Sequence, residues 1–357
     1  MTDQLNIGFL GAGGIAKSHV FALDALRYYY QDSPQIHKQV VATPNLKSRT
    51  TFAENFNFQE AITPDEVFSR DDIDTLFILG PNDTHTPQLL KAIDIASIQR
   101  IYVEKPIGIT IKDIEALELI NLSPHNKLIM VGYQYLQKSA LRKALELYQT
   151  GDFGNPIHFR VEYLHSSYLD PQYRKAHPDR LKSIPLNGAI ADLGSHALSL
   201  LVAFFGHKLK ICHALTSGSF EDVPSNSDLC TTVLLEDTST GAAGTLTASR
   251  VSAGTGDHLY LEIRGKSGVL IFDSSQPDTL NSYQSGKGWQ QINVMSDYQP
   301  HSKFPSDYVP SGWLRALIHN HYLFLDGNPK GSFIPDLNHG IEVQKLIQKI
   351  ADHIINH

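Results

Sequence analysis

The 357-residue chain has few cysteines and no concentrated positive charge. Its two cysteines, Cys212 and Cys230, are too few for a disulfide framework and lack the spacing of a metal or redox motif. Its 30 lysines and arginines are outnumbered by 37 acidic residues and do not cluster, which argues against a nucleic-acid partner. No basic start with an apolar run opens the chain, and no apolar stretch approaches the length of a membrane span. We therefore expect a cytoplasmic protein that binds neither nucleic acid nor membrane.

The first third of the chain alternates apolar strand segments with stretches of helical spacing. The predicted strands lie at residues 5–10, 39–42, 74–79, 101–103 and 128–131. The predicted helices lie at residues 15–30, 48–56 and 87–95. This alternation predicts βαβ units and a doubly wound parallel sheet. We therefore predict an N-terminal α/β domain over residues 1–132.

The pattern changes after residue 132. Strand segments recur there with short gaps of turn residues, which predicts antiparallel pairing. These strands lie at residues 156–163, 230–236, 241–249, 258–264 and 268–272. Helical patterns lie at residues 139–149, 190–205 and 340–355. We predict a second domain, residues 133–357, of the α+β class with an open, mainly antiparallel sheet.

A glycine-rich loop, Gly11-Ala12-Gly13-Gly14-Ile15-Ala16, stands between the first strand and the first helix. Gly11, Gly13 and Ala16 occupy the positions of the G-x-G-x-x-G/A pattern. Glycine permits a tight turn and a close approach of the backbone to a pyrophosphate, and the helix N-terminus offers free N–H groups. Such turns also occur for purely structural reasons, but the strand–loop–helix context favours a dinucleotide site that includes Gly14 and Ile15.

The acidic residue that usually ends the second strand and holds the ribose 2′-OH is missing. The chain reads Ala-Thr-Pro-Asn-Leu-Lys-Ser-Arg at positions 42–49. Without a carboxylate, a 2′-phosphate meets no repulsion, and Thr43, Ser48 and Arg49 could contact it. A solvated helix start is an equal alternative for these residues. The cofactor is therefore NAD or NADP, with the loop slightly favouring NADP.

The order of several motifs resembles the Gfo/Idh/MocA family of glucose-fructose oxidoreductases, inositol dehydrogenases and rhizopine catabolism proteins. The matching segments are residues 6–16, 78–85, 103–108, 188–196 and 261–268. The E-K-P element and the D-x-G-x-H element are specific in combination. The resemblance implies an N-terminal Rossmann domain and a C-terminal domain whose open sheet carries the substrate site on one face. It also implies an oligomer contact on the other face, so we expect a homodimer or homotetramer.

Three residues in the matching segments suit the oxidation of a secondary alcohol. His196 is the best candidate base, because histidine titrates near neutral pH. Asp192 lies four residues earlier; if the segment is helical, the two share a face, and Asp192 could orient the substrate or raise the basicity of the imidazole. Lys105 follows a strand at the cofactor edge of the sheet and could stabilise the alkoxide. Each residue alone would more often be structural; their joint occurrence favours catalysis.

Other residues are candidates for the cofactor site. The resemblance places Glu104 near the nicotinamide ribose. Pro81, Asn82 and His85 follow the third strand, where a simple turn would use the same residues. The Lys105–Pro106 bond is a candidate cis peptide.

Candidates for the substrate site flank the loop before the catalytic helix. Tyr163, His165, Tyr168 and Arg174 could line a polyol pocket, although a covering loop is an equal alternative. The two histidines of His319-Asn320-His321 do not share a helix face, so we predict no metal site.

The resemblance implies an NAD(P)-dependent oxidoreductase acting on a secondary alcohol or ketone of a sugar, inositol or related polyol. Two departures put the substrate in doubt: Ser199 stands where many members have aspartate, and residues 166–187 match no known substrate signature. An alternative is a sensor or regulator that binds a dinucleotide without catalysis. A third hypothesis, transient use of bound NAD in hydrolysis or epimerisation, would show no net cofactor reduction.

Overall fold

The computed structural model describes residues 4–122, 126–181, 188–217, 220–224, 226–294, 313–325 and 332–355. The chain forms two compact units. The first comprises Met1–Gln137 and Tyr298–Ile341, and the second comprises Lys138–Asp297 and Glu342–His357.

The first unit contains a six-stranded sheet in the order β3-β2-β1-β4-β5-β6, with every pair parallel. Its strands are β1 (Gln4–Leu10), β2 (Gln35–Ala42), β3 (Glu60–Ile62), β4 (Thr75–Ile78), β5 (Arg100–Val103) and β6 (Leu128–Val131). This is the Rossmann strand order, and the predicted parallel sheet is confirmed. The order reverses between β1 and β4, where ligands bind at the carboxyl ends of the strands.

Helices flank this sheet between the strands. They are α1 (Gly14–Tyr29), α2 (Leu46–Phe56), α3 (Pro64–Val67), α4 (His85–Ile93) and α5 (Ile111–Leu122). The three predicted helices correspond to α1, α2 and α4, with ends that agree within two residues. The prediction missed α3, α5 and the three-residue strand β3, because short or weakly amphipathic elements carry little periodic signal.

A late helix also belongs to the first unit. Helix α9 (Trp313–Leu325) packs against α1, and its Leu317, Leu323 and Phe324 join the core beneath the Rossmann sheet. The rings of Tyr30 and Tyr322 stack with centroids 4.0 Å apart. The predicted division at residue 132 had assigned this helix to the second domain. Contacts made across a long sequence separation, which no local pattern reports, place it with the first.

The second unit contains an eight-stranded sheet in the order β14-β13-β12-β11-β7-β10-β9-β8. Its strands are β7 (Pro156–Leu164), β8 (Leu209–Ser217), β9 (Cys230–Asp237), β10 (Ala242–Ser249), β11 (His258–Gly265), β12 (Gly268–Asp273), β13 (Thr279–Gln284) and β14 (Gly288–Asn293). β7 pairs with β10 in parallel, and the other pairings of this sheet are antiparallel. The predicted mainly antiparallel sheet is confirmed, with β8, β13 and β14 as additions.

Helices cover one face of this sheet, and the other, here called the open face, carries exposed side chains among the described residues. The unit includes α6 (Ser139–Gln149), α7 (Pro171–Ala176) and α8 (Ser195–Phe205), while α10 (Leu337–Ile355) begins in the first unit. Helices α6 and α8 pack on β7, β10, β12 and β13. The side chains of Leu215 and Leu234 are exposed, as is Arg160 on the central strand.

The helical segment Ile190–Lys208 corrects one expectation. It is long and apolar enough to meet the length of a membrane span, although we expected no such stretch. However, 78% of its most apolar 18-residue stretch is buried inside the protein, as in the core helix of a soluble protein.

Candidate active site

The glycine loop lies where β1 ends and α1 begins. Gly11 has a φ of +126°, and a Cβ there would stand 2.7 Å from the carbonyl group of Leu79. The position therefore needs glycine, both for its backbone conformation and for its closeness to the neighbouring chain. A Cβ added at Gly13 or Gly14 meets no atom of the described residues within 4 Å, so these glycines leave space before the N-terminus of α1.

This N-terminus fits the pyrophosphate of a dinucleotide. Gly13 caps α1 without a side-chain hydrogen bond, and the first turn has no acidic residue. The helix therefore presents free N–H groups and a partial positive charge to the open space. Two predicted cofactor residues have a packing role here: Ala16 is fully buried in the core, and Ile15 packs against it.

The loop after β2 carries the residues that bear on the choice between NAD and NADP. Arg49 Nη1 donates to the carbonyl oxygens of Thr43 and Pro44, at 3.0 Å each, so its guanidinium folds back on the loop. Asn45 caps α2 by accepting from the backbone N–H of Ser48 at 2.9 Å. The Ser48 side chain is exposed. The loop contains cations and no carboxylate, which is compatible with NADP. The preference for NADP over NAD stays a prediction.

His85, a predicted cofactor residue, is buried between two loops. The structure buries it and engages both ring nitrogens with backbone carbonyl oxygens: Nδ1 lies 2.7 Å from Pro106 O and Nε2 2.9 Å from Gly80 O. The side chain thus lies between the loop after β4 and the loop after β5, with a carbonyl oxygen near each ring nitrogen, and its role at the cofactor stays a prediction. Pro81 and Asn82 form the start of a 3₁₀ turn before α4 and stay at least partly exposed.

The Glu104-Lys105-Pro106 element follows β5 directly. The predicted cis peptide between Lys105 and Pro106 is present, and Lys105 is half-buried. Glu104 is 6% exposed, and its Oε1 lies 2.9 Å from Nε2 of His19 on α1. Sequence reasoning missed His19; the available signal was a polar residue at a core-facing position of α1.

The His319–His321 segment, for which we predicted no metal site, lies in α9 as a buried polar row. His319 Nδ1 lies 2.7 Å from the hydroxyl of Tyr30, whereas His321 Nε2 lies 2.9 Å from Nδ1 of His19. The two histidines thus contact different partners. In the part of the chain that the structure describes, no group of three or more His, Cys, Asp or Glu residues is suited to a metal.

In the second unit, Asp192 and His196 lie on a helix whose first turn is π-helical. The π-helix spans Ile190–Gly194 and continues into α8 at Ser195. We predicted a simple α-helix; the wider turn is a feature often found at functional sites. His196 is 5% exposed, and its ring meets Tyr163 edge-on with centroids 5.9 Å apart.

A distant aspartate anchors the start of this helix. The Asp228 carboxylate accepts from the Ile190 N–H at 2.7 Å and from Thr231 Oγ1 at 2.6 Å. Burial raises the pKa of Asp228, while these hydrogen bonds and the charge of Arg250 oppose that rise. A Cβ at Gly188 would stand 2.4 Å from the carboxylate, so this position needs glycine.

Asp192 is paired with a buried arginine that sequence reasoning missed. Arg250 follows β10, and its Nη2 donates to Asp192 Oδ2 at 2.8 Å. The Arg250 side chain is 2% exposed and that of Asp192 is 26% exposed. The guanidinium also lies 4.7 Å from the ring centroid of Tyr168. A buried cation therefore favours the ionised form of Asp192, and no local pattern could link residues 58 positions apart.

Sequence comparison identifies both units. The profile described as an oxidoreductase family with an NAD-binding Rossmann fold matches residues 5–133, and that of the GFO/IDH/MocA C-terminal domain matches residues 141–271. The chain belongs to the Gfo/Idh/MocA oxidoreductase family.

Relatives within this family include sugar and inositol dehydrogenases. Levoglucosan dehydrogenase of Pseudarthrobacter phenanthrenivorans is 25% identical over 301 residues, 78% of this chain and 76% of that protein. Inositol 2-dehydrogenase/D-chiro-inositol 3-dehydrogenase of Lacticaseibacillus casei is 24% identical over 164 residues, 45% of this chain and 44% of that protein. A solved levoglucosan dehydrogenase in complex with NADH and levoglucosan has the same fold, with a TM-score of 0.87 at 20% identity over 99% of this chain and 98% of that one.

Two of the four predicted substrate residues of this Gfo/Idh/MocA protein are turned inwards. Arg174 is 5% exposed and donates to both carboxylate oxygens of Asp222 and to the carbonyl oxygens of Tyr168 and Leu169. Tyr168 is 2% exposed. The burial of both side chains favours the alternative of a covering loop, and their role at the substrate stays a prediction.

The other two substrate candidates lie in or just after β7. The Tyr163 hydroxyl donates to Asp257, and the Nδ1 of His165 accepts from the backbone N–H of Ser167 at 3.2 Å. Tyr163 remains a substrate candidate because of its contact with the His196 ring. Ser199, which replaces the aspartate of many family members, is 1% exposed within α8.

Proposed function

We propose that this protein is an NAD(P)-dependent dehydrogenase or reductase acting on a secondary alcohol or ketone of a sugar, inositol or related polyol. The observation that carries the proposal is the open glycine cradle at the sheet edge where Lys105 also stands. The strands that precede them, β1 and β5, are parallel and separated by β4 alone. The levoglucosan and inositol dehydrogenases among its relatives support the class of substrate.

The proposed roles follow from the charge and burial of each group. The nicotinamide, when bound, supplies the acceptor or donor of the hydride. The Lys105 ammonium donates a hydrogen bond to the reacting oxygen and stabilises its negative charge. His196 takes the hydroxyl proton in oxidation and returns it in reduction. Asp192, kept ionised beside Arg250, accepts a hydrogen bond that orients the substrate or the imidazole.

The test is a panel of anhydrosugars, aldoses, inositols and acyclic polyols, assayed with NAD and NADP separately by nicotinamide absorbance. We expect net cofactor reduction with at least one substrate. His196→Asn and Lys105→Met should lower kcat by about 10²–10⁴-fold, the range of general acid–base effects. NADH affinity, measured by fluorescence titration, should stay near that of the wild type. His207→Gln, an exposed histidine of the second unit, is the matched control and should leave kcat unchanged.

Each alternative has its own outcome. Wild-type kcat in His196→Asn would refute the assigned role. Tight NADH binding with no turnover on any substrate would favour the sensor. Product formation without net cofactor reduction would indicate transient use of bound NAD.

We infer that the loop after β2 favours NADP. Ser48 and Arg49 stand in that loop, which contains no carboxylate of its own to repel a 2′-phosphate. Ser48→Glu should weaken NADP binding relative to NAD by about tenfold through charge repulsion. Tighter binding of NAD than of NADP by the wild type would contradict the inference.

We further propose a homodimer or homotetramer formed through the open face of the second sheet. Leu215 on β8 and Leu234 on β9 are exposed there, 62% and 48% respectively. Sedimentation equilibrium should give a dimer or tetramer, and Leu234→Glu should lower the assembled fraction. A wild-type monomer at micromolar concentration would reject the proposal.

A further inference from the structure

A chain of three buried polar side chains runs through the first unit, and two of them, His19 and His321, have no place in the roles assigned so far. Glu104 Oε1 lies 2.9 Å from His19 Nε2, and His19 Nδ1 lies 2.9 Å from His321 Nε2. Glu104 is 6% exposed, and both histidines are fully buried. The contacts link α9, through α1, to the loop that carries Lys105.

Hydrogen-bond chemistry and burial determine where the protons of this chain of side chains lie. A carboxylate only accepts, so His19 Nε2 carries the proton that faces Glu104. Burial, and the neighbouring charge of His19, hold the pKa of His321 well below its usual value, so its ring is neutral. The His19 and His321 rings stack at 4.9 Å, and Tyr102 meets His19 edge-on at 5.0 Å. Water cannot easily replace a lost partner in such a site.

The Glu104 carboxylate lies against the backbone of Gly132 and accepts a hydrogen bond from the backbone of Lys105. A Cβ at Gly132 would stand 2.9 Å from the carboxylate carbon and from both of its oxygens, so the group rests directly on that backbone. Its Oε2 accepts from the backbone N–H of Lys105 at 3.2 Å. One carboxylate oxygen is therefore held by His19 while the other holds Lys105, and a shift of Glu104 would move the lysine.

We propose that His19 and His321 are positioning residues that act through Glu104 to fix the loop presenting Lys105. The proposal rests on the proposed function, in which Lys105 polarises the reacting oxygen. His19 lies on the helix that begins at the glycine cradle, so the same contact joins the cofactor cradle to the catalytic loop.

The main experiment compares variants of two equally buried histidines on helix α9, His321 and His319. His321→Phe keeps a ring of similar shape but removes the polar contact, and His321→Gln restores a polar group towards His19. His319→Phe is the matched control, because His319 lies two residues earlier, is also fully buried, and contacts Tyr30 instead. The readouts are kcat and KM, NADH affinity, and the rate of Lys105 acylation measured by peptide mass spectrometry, which needs no turnover.

We expect His321→Phe to lower kcat about tenfold, the effect of one lost buried hydrogen bond, with a much smaller change in KM. Lys105 acylation should rise about threefold or more as the loop loosens, and His321→Gln should recover most of both effects. His319→Phe should leave both near wild type. Wild-type kcat and acylation in His321→Phe, or equal losses in His319→Phe, would overturn the proposal.

A second pair of variants tests the proposal if His321→Phe does not fold. In His19→Gln the amide nitrogen can stand near the position of Nε2 and still donate to Glu104, whereas in His19→Asn it falls short. His19→Gln keeps the contact to Glu104 but loses the Nδ1 that faces His321, so acylation of Lys105 should rise less in the first than in the second; equal behaviour would overturn the proposal. If the wild type turns over no substrate, the proposed function fails, while acylation and NADH affinity still decide the positioning role.

Discussion

Replacing Arg250 with methionine removes a buried cation that stands between two carboxylates. Arg250 donates to Asp192 at 2.8 Å, and its charge also lowers the pKa of the wholly buried Asp228, opposing the larger effect of desolvation. Methionine has a similar length and is apolar, so the variant loses the charge without opening a large cavity. Both aspartates then lack their compensating cation.

The magnitude follows from the burial of the two partners. Removing one member of a buried ion pair costs about 3–5 kcal/mol. The Asp192 side chain is 26% exposed and can be rehydrated, which reduces its share. Asp228 can take up a proton and become neutral, which limits its contribution to the loss of unfolding free energy. We therefore expect a loss of about 3 kcal/mol in the unfolding free energy of the second unit, at the lower end of that range.

The sign of the pH dependence is a further check. Without Arg250 the folded-state pKa of Asp228 rises further above its unfolded value. A carboxyl with a raised pKa contributes stability below its unfolded pKa and loses it as pH rises through the folded one. The deficit of Arg250→Met should therefore be larger at neutral pH than near pH 4. Asp228→Asn, whose amide oxygen can accept from the Ile190 N–H while its amide nitrogen donates to the Thr231 hydroxyl, should recover part of it at neutral pH.

The assay is urea unfolding followed by tryptophan fluorescence. The chain has two tryptophans, and Trp313→Phe leaves Trp289 of the second unit as the reporter. Lys210→Met is the control, because its partner Glu236 lies 3.6 Å away in a solvent-exposed pair of the same unit. A loss below about 1 kcal/mol, the range of surface pairs, would refute the reasoning. So would a deficit that Asp228→Asn leaves unchanged.

Three further predictions concern stability. Burial lowers the pKa of His339 to about 3, so the folded state resists its protonation. Stability is therefore lost as pH falls below the unfolded value, and His339→Phe should lessen the acid loss in urea unfolding by about 1.4 kcal/mol per pH unit. Gly244→Ala would put a Cβ 2.0 Å from the buried Phe159 ring, and overpacking should cost about 1–3 kcal/mol or more in chemical unfolding. Asn45→Ala removes the cap of α2 and should cost about 1 kcal/mol by the same measurement.

Each of these has a contradicting outcome. An unchanged acid slope in His339→Phe would show that this ring is not held neutral in the fold. Wild-type stability in Gly244→Ala would mean that the Phe159 ring can move without cost. For Asn45, the comparison is Asn45→Asp, which keeps an acceptor; equal losses in both variants would exclude capping as the cause.

The features that the sequence predicted well are local. A strand, a glycine turn and a helix follow one another at Gly11–Ala16, so their order and spacing are visible in the chain itself. The Rossmann sheet was predictable because apolar strands alternate with amphipathic helices. The candidate lysine, aspartate and histidine were found by their motifs. Helix α9 was missed because its assignment depends on a contact with α1 that local pattern does not record.

Local sequence was enough to predict the two sheets, the cradle at α1 and the positions of Lys105, Asp192 and His196, since backbone preference and periodicity act over a few residues. Which distant side chains contact these groups depends on tertiary packing. Arg250 reaches Asp192 across 58 residues, and His321 reaches His19 across 302. Buried polar groups must find partners wherever packing brings them, and that requirement leaves no periodic trace in the sequence.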